Sequence, residues 1–220
     1  MTRIRPFSAI ILAAGKGTRM ESDVHKVLHP IAGRAILDHL LTVLGGLKPQ
    51  RTLVVLGSGR EQVEALVAMH GGEVVIQEQQ LGTAHAVLQA QSQLADFDGD
   101  ILILYGDTPL IEAETMVRML ARLNDVDAPV IVVAGFRPED PQAYGRIIAV
   151  DDGAIEKMVE YKDATVEERA VNLCNSGMMA VRSKDLFALL TRVKNDNAAG
   201  EYYLPDIVML AAGEGRRSVV

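Results

Sequence analysis

Short apolar runs alternate with amphipathic segments through the first 135 residues. Residues 8–13, 52–56, 73–76, 101–105 and 130–134 read as strands, and their nearly unbroken apolar character suits a sheet covered on both faces. Between them, residues 34–44, 61–69, 82–94 and 113–123 carry the spacing of amphipathic helices. Strand–helix alternation of this kind predicts βαβ units and a doubly wound, mostly parallel α/β sheet. Further on the pattern changes. Residues 146–150 and 154–159 read as a hairpin around Asp151-Asp152-Gly153, residues 173–181 as a strand, and helices follow Ser183 and begin near Leu204. We expect one domain with a small α+β elaboration.

In such a sheet, ligands sit at the carboxyl ends of the strands. Chemically loaded residues fall there: Gly15, Lys16 and Arg19 after the first strand, Gln77 after the third and Asp107 after the fourth. The run Ile10-Ile11-Leu12-Ala13-Ala14-Gly15-Lys16-Gly17-Thr18-Arg19-Met20 joins an apolar strand to glycines and two cations, a combination suited to a phosphate ester. It lacks the Lys-Ser/Thr of a Walker loop, and Met20 stands where a dinucleotide fingerprint needs a small residue. On its own the run leaves a phosphate cradle and a plain turn equally open. Asp107 suits a magnesium ligand, because that ion is bound through one or two carboxylates plus substrate phosphates; a turn or helix-capping residue is the alternative. The Gln77 amide, with Gly82 and Thr83, can read the edge of a nucleobase; the alternative is that Thr83 caps the helix and Gln77 is solvated.

Composition narrows the class. With 220 residues the chain can bury a large core, and a net charge of −7 argues against general nucleic-acid binding. One cysteine, Cys174, excludes a disulfide framework and a multi-cysteine metal site within the chain. The first apolar stretch is too short for a secretory signal, and no apolar run reaches a membrane-spanning length, so a cytoplasmic protein without membrane partners is expected. The five histidines lack a metal-ligand pattern and read as structural or surface residues.

Residues 12–20, Lys26-Val27-Leu28-His29, Ile31-Ala32-Gly33, 77–86, 105–110, 144–147, 160–163, Asn175-Ser176-Gly177 and Glu201-Tyr202-Tyr203-Leu204-Pro205-Asp206-Ile207 occur in one order. As an ordered set they resemble the uridyltransferase domain of the bifunctional N-acetylglucosamine-1-phosphate uridyltransferase/glucosamine-1-phosphate acetyltransferase. The resemblance implies a Rossmann-like nucleotide-diphospho-sugar transferase fold that makes UDP-N-acetylglucosamine and pyrophosphate from UTP and N-acetylglucosamine 1-phosphate. It further implies that Leu12, Ala13, Gly15, Gln77, Gly82 and Thr83 form the uridine pocket and that Arg19 and Lys26 act on the triphosphate. Asp107 would hold Mg²⁺, and Tyr105, Gly145, Glu160 and Asn175 would contact the sugar phosphate. His25 stands where that family usually has proline before the lysine. The expected organisation is a single nucleotidyltransferase domain over residues 1–220, cut short before its C-terminal end and before a second metal-ligating asparagine. The acetyltransferase β-helix through which full-length members trimerise would be absent. The rival readings are a non-catalytic UDP-sugar-binding fragment and a nucleotidyltransferase for another nucleotide or sugar phosphate.

Overall fold

The computed structural model describes residues 4–15, 17 and 20–220. The apolar runs become strands: β1 (Phe7–Leu12), β4 (Thr52–Leu56), β5 (Glu73–Ile76), β6 (Asp100–Tyr105) and β7 (Ile131–Phe136). Alternate residues of β1 enter two different cores. Ile10 and Leu12 pack with Leu53, Val55, Ile101 and Ile103 on one face, while Ala9 and Ile11 pack with Val54, Leu56, Leu102 and Leu104 on the other. Because both faces are covered, the strands show no polar alternation, and each fully buried aliphatic side chain contributes about 1.5–3 kcal/mol.

The second face is covered by α1 (Ile36–Gly46), α2 (Glu61–Met69) and α4 (Ala113–Leu123). The first is covered by α3 (Thr83–Leu88), α6 (Ser183–Leu190) and α7 (Asp206–Gly213). Among the described residues the main path of the sheet is β11 (Ser218–Val219), β7, β10 (Cys174–Arg182), β6, β1, β4, β5. The pairs β1–β4, β1–β6 and β4–β5 are parallel, and β10 runs antiparallel between β6 and β7. The hairpin of β8 (Arg146–Ala149) and β9 (Ile155–Val159) branches from β10 and forms the expected elaboration, with the short α5 (Val166–Ala170) beside it. The fold is the mostly parallel α/β class that the sequence pattern predicts.

Two helix expectations need correction. The segment 34–44 becomes helical only at Ile36, because β2 (Pro30–Ile31) and β3 (Arg34–Ala35) first pair as a hairpin through Ala32 and Gly33, both at positive φ. The segment 82–94 is not one helix. After Leu88 its amides bond three residues back, as in Gln89 N to Ala86 O and Ala90 N to Val87 O, and a separate 3-10 turn covers Ser92–Leu94. The Gln89 side chain takes the His85 carbonyl at 3.0 Å, one example of a polar side chain competing with the helical ladder.

Candidate functional site

Strand register sets the site. Leu12 is level with Tyr105 and Val55, and Leu56 with Ile76, so β1, β4, β5 and β6 end together. The chain turns upward at this edge through Ala13 N to Val55 O at 2.9 Å, Gln77 N to Leu56 O at 2.8 Å and Gly106 N to Leu12 O at 2.9 Å. Above it opens a cleft of about 340 Å³, whose lining includes Leu12, Ala13, Gly15, Gln77, Gly82 and Thr83, together with Lys26, Tyr105 and Asp107. Lys16 and Arg19 lie outside the described residues.

Lys26 follows His25 in the 3-10 turn Lys26–Leu28, which is anchored by buried Val27. Gly17, at φ +60°, approaches so closely that a Cβ there would lie 2.7 Å from Lys26 Cβ, so the opening turn packs against the lysine. Lys26 Nζ forms an ion pair with the Asp107 carboxylate, a partner 81 residues away that the sequence alone does not reveal. His25 is buried, neither ring nitrogen has a partner among the described residues, and burial lowers its pKa. Its main-chain N–H donates to Gln62 Oε1 at 3.1 Å, which ties the lysine-bearing turn to α2.

The opposite wall of the cleft is double-layered. Tyr202 N donates to Leu81 O at 2.8 Å, Ala84 N to Tyr202 O at 2.9 Å, and Leu204 N to Thr83 Oγ1 at 2.9 Å. Residues 201–204 are therefore strapped across the 81–84 loop. Thr83 does not cap α3; Gly82 occupies the N-cap position, and the Thr83 hydroxyl is taken up by the strap. Gln80 closes the near side by donating to the Ala14 carbonyl.

Gly145, Glu160 and Asn175 do not line this cleft; they gather beside it. Asn175 N donates to Gly145 O at 2.9 Å, and a Cβ on Gly145 would lie 3.2 Å from Glu160 Oε2. Arg146, buried at the start of β8, donates to the carbonyls of Pro141, Gln142, Tyr144 and Arg169, and so fixes the loop that presents Gly145. Asn175 Oδ1 accepts from Gly177 N at 2.8 Å, and Gly177 lies against the Tyr105 ring. Tyr105 thus joins the two groups. Burial first, then the charges of Glu160 and Asp107, push its phenol well above the ordinary range, so it acts as a neutral hydrogen-bonding group.

A separate cavity beyond Glu160 is lined by Asp163, Lys194, Asp196, Tyr203 and Asp206 among others. Burial, followed by the charges of Asp206, Asp163 and Glu201, raises the Glu160 pKa. Burial and then Asp163 push Asp206 up to about 6, outweighing its favourable place in the first turn of α7. The cleft is cationic at Lys26, whereas this side is acidic. A carboxyl group whose folded pKa exceeds its unfolded value binds more protons when folded. The stability that Asp206 contributes is therefore lost as pH rises from about 4 to about 6 and stays lower above that window. Asp206→Asn is expected to raise stability at pH 7.5 by about 1–2 kcal/mol, allowing for partial solvent contact, with the gain vanishing near pH 4. Thermal melts of both proteins at the two pH values check this.

The residues that sequence reasoning missed are those acting behind the lining. Tyr202 holds the Gly82 loop through its backbone, and His85 Nδ1 lies 3.0 Å from Gln77 Nε2. The histidine therefore belongs to the site's supporting layer instead of being a merely structural or surface residue. Its place in the first turn of a helix just beyond the Gln77 strand end was the available signal. Among the described residues no group of three or more His, Cys, Asp or Glu side chains could hold a metal, and no helix is long and apolar enough to cross a membrane.

Residues 9–201 match the MobA-like NTP transferase domain. The bifunctional protein GlmU of Rhizorhabdus wittichii is 68% identical over 216 residues, which is 98% of this chain and 48% of that protein. GlmU of Zymomonas mobilis is 58% identical over 221 residues, 100% of this chain and 49% of that protein. A solved UDP-glucose pyrophosphorylase complexed with UDP-glucose superposes with a TM-score of 0.77, covering 96% of this chain and 89% of that chain; at 17% identity the likeness is one of fold. The chain spans about half the length of the curated relatives it matches. A family match over most of the chain and a cleft at the carboxyl edge of a mostly parallel sheet agree: the chain belongs to the MobA-like NTP transferase family.

Proposed function

We propose that this chain is the uridylyltransferase part of a GlmU-type protein. It joins UTP and N-acetylglucosamine 1-phosphate into UDP-N-acetylglucosamine and releases pyrophosphate. The observation that carries the reading is the division of one sheet edge into three chemically different stations. Gln77 and Gly82 offer amide and main-chain groups suited to a base; Lys26 offers a cation suited to phosphate; Gly145, Glu160 and Asn175 gather beyond Tyr105, where a hydroxyl-rich sugar can be held. High identity to proteins named GlmU supports the choice of substrates.

The chemistry follows from this layout. An oxygen of the sugar 1-phosphate attacks the α-phosphorus of UTP, a new P–O bond forms, and the bond to the β-phosphate oxygen breaks with departure of pyrophosphate. The attacking phosphate is already anionic at neutral pH, so the chain needs to supply no general base. Its work is to align two anions and offset their repulsion. Lys26 does this at the phosphate end, and we assign Arg19 a similar role by its position in the opening run. Mg²⁺ takes most of its ligands from phosphates and water and needs only one or two carboxylates, and Asp107 and Glu201 both line the cleft; Asp107, beside Lys26, would hold that ion. When bound it supplies further charge neutralisation at the phosphates.

The test couples binding to turnover on one sample. UDP-N-acetylglucosamine is expected to raise the melting temperature, and pyrophosphate release is expected from UTP, N-acetylglucosamine 1-phosphate and Mg²⁺ together. Stabilisation without release would make the chain a binding module and overturn the proposal.

A further inference from the structure

Gln77 is 3% exposed yet lines the cleft. Its amide nitrogen lies 3.2 Å from Gly82 O and 3.0 Å from His85 Nδ1. A carbonyl oxygen can only accept, so the end of the amide facing Gly82 must be the NH₂ group. Both of its N–H bonds are then engaged within the protein. The other end, Oε1, takes no hydrogen bond among the described residues, and Gln77 is one of the residues lining the cleft. The cleft thus receives an acceptor.

We infer that His85 is a positioning residue that holds the Gln77 amide with its oxygen toward the cleft, and so selects a base presenting a ring N–H. This deepens the proposed function and rests on its assignment of the cleft to a nucleotide. Uracil carries a hydrogen at N3, whereas cytosine carries a lone pair there, which would face the lone pairs of Oε1. The discrimination is therefore between two pyrimidines of nearly equal size, where packing alone separates little.

His85 must present a lone pair at Nδ1 for this, with its proton on Nε2. Gln89 Nε2 lies 3.1 Å from His85 Nε2, so both ring nitrogens face amide nitrogens while a neutral imidazole has one acceptor. Burial decides between them. Gln77 cannot turn away, whereas the half-buried Gln89 amide nitrogen keeps its bond to the His85 carbonyl at 3.0 Å and has solvent for its other N–H, so it does not need the ring lone pair. Gln77 therefore keeps the Nδ1 lone pair.

The experiment measures kcat/KM for UTP and for CTP, with N-acetylglucosamine 1-phosphate, in the parent, His85→Ala, His85→Asn and His85→Gln. Loss of one anchoring hydrogen bond is expected to lower kcat/KM for UTP about tenfold in His85→Ala, with CTP not falling in step, so the UTP/CTP ratio narrows. An asparagine oxygen can replace Nδ1 and is expected to keep the ratio. Glutamine reaches the Nε2 position instead and is expected to narrow it, which preserves the test should the alanine variant not fold. Equal losses for both nucleotides, or identical ratios in His85→Asn and His85→Gln, would overturn the inference. If the parent turns over neither nucleotide, the proposed reaction fails, and the amide orientation is then read from UDP against CDP binding by calorimetry in the same variants.

Discussion

Lys26→Met is expected to lower kcat by on the order of 10²-fold or more while leaving the melting temperature almost unchanged. The two halves of that expectation come from different magnitudes. As a structural contact, the Lys26–Asp107 pair is partly solvated, with side chains 38% and 33% exposed, and such pairs contribute about 0–1 kcal/mol. In the proposed reaction the same ammonium is a fixed charge beside a transferring phosphoryl group, in a partly dehydrated cleft and already oriented. The Gly17 turn packs on its stem, and buried Val27 follows it in the chain. Methionine keeps the stem and removes only the charge. Steady-state pyrophosphate release and a thermal melt on one preparation separate the effects. Unaltered turnover would remove Lys26 from the mechanism.

Gly82→Ala is expected to damage both stability and nucleotide affinity. Gly82 sits at φ +119°, ψ 176°, a backbone region essentially closed to residues with a side chain. A Cβ there would lie 2.5 Å from Tyr202 O and 2.7 Å from Tyr202 N, so the strap must move away. That movement strains or breaks the bonds from Tyr202 N to Leu81 O and from Ala84 N to Tyr202 O, and disturbs the Thr83–Leu204 contact next to Tyr105. Backbone strain plus lost hydrogen bonds amount to about 3 kcal/mol or more. For a chain of this size that lowers Tm by about 6–12 °C. The KM for UTP is expected to rise at least about tenfold, because Gly82 lines the cleft where the proposed reaction holds the base and its carbonyl anchors Gln77. A melt within about 1 °C of the parent would show that the strap tolerates the side chain.

Much of this molecule is legible locally. The strands 52–56 and 73–76 and the helices 61–69 and 113–123 agree with the structure to the residue, because each is a short run with one dominant periodicity. The carboxyl-edge rule then brings Gly15, Gln77 and Asp107 to one cleft. What stays hidden depends on pairing across long separations. Nothing local in residues 173–181 reveals that β10 inserts antiparallel between β6 and β7. The 81–84 loop and the 201–204 segment look like separate motifs, although they are two strands of backbone hydrogen-bonded to each other. Asp107 has no partner nearby in sequence, and folding brings Lys26 to it. His85 passes for an ordinary helical histidine, since its significance lies in which end of a distant amide it faces.

The central claim is that this cleft transfers a uridylyl group to an amino-sugar phosphate. Its most direct test is initial-rate pyrophosphate release across UTP, CTP, GTP and ATP, each paired with N-acetylglucosamine 1-phosphate, glucosamine 1-phosphate and glucose 1-phosphate in the presence of Mg²⁺. The highest kcat/KM is expected for UTP with N-acetylglucosamine 1-phosphate. A best rate with CTP or GTP, or with a sugar phosphate lacking the acetamido group, would contradict it.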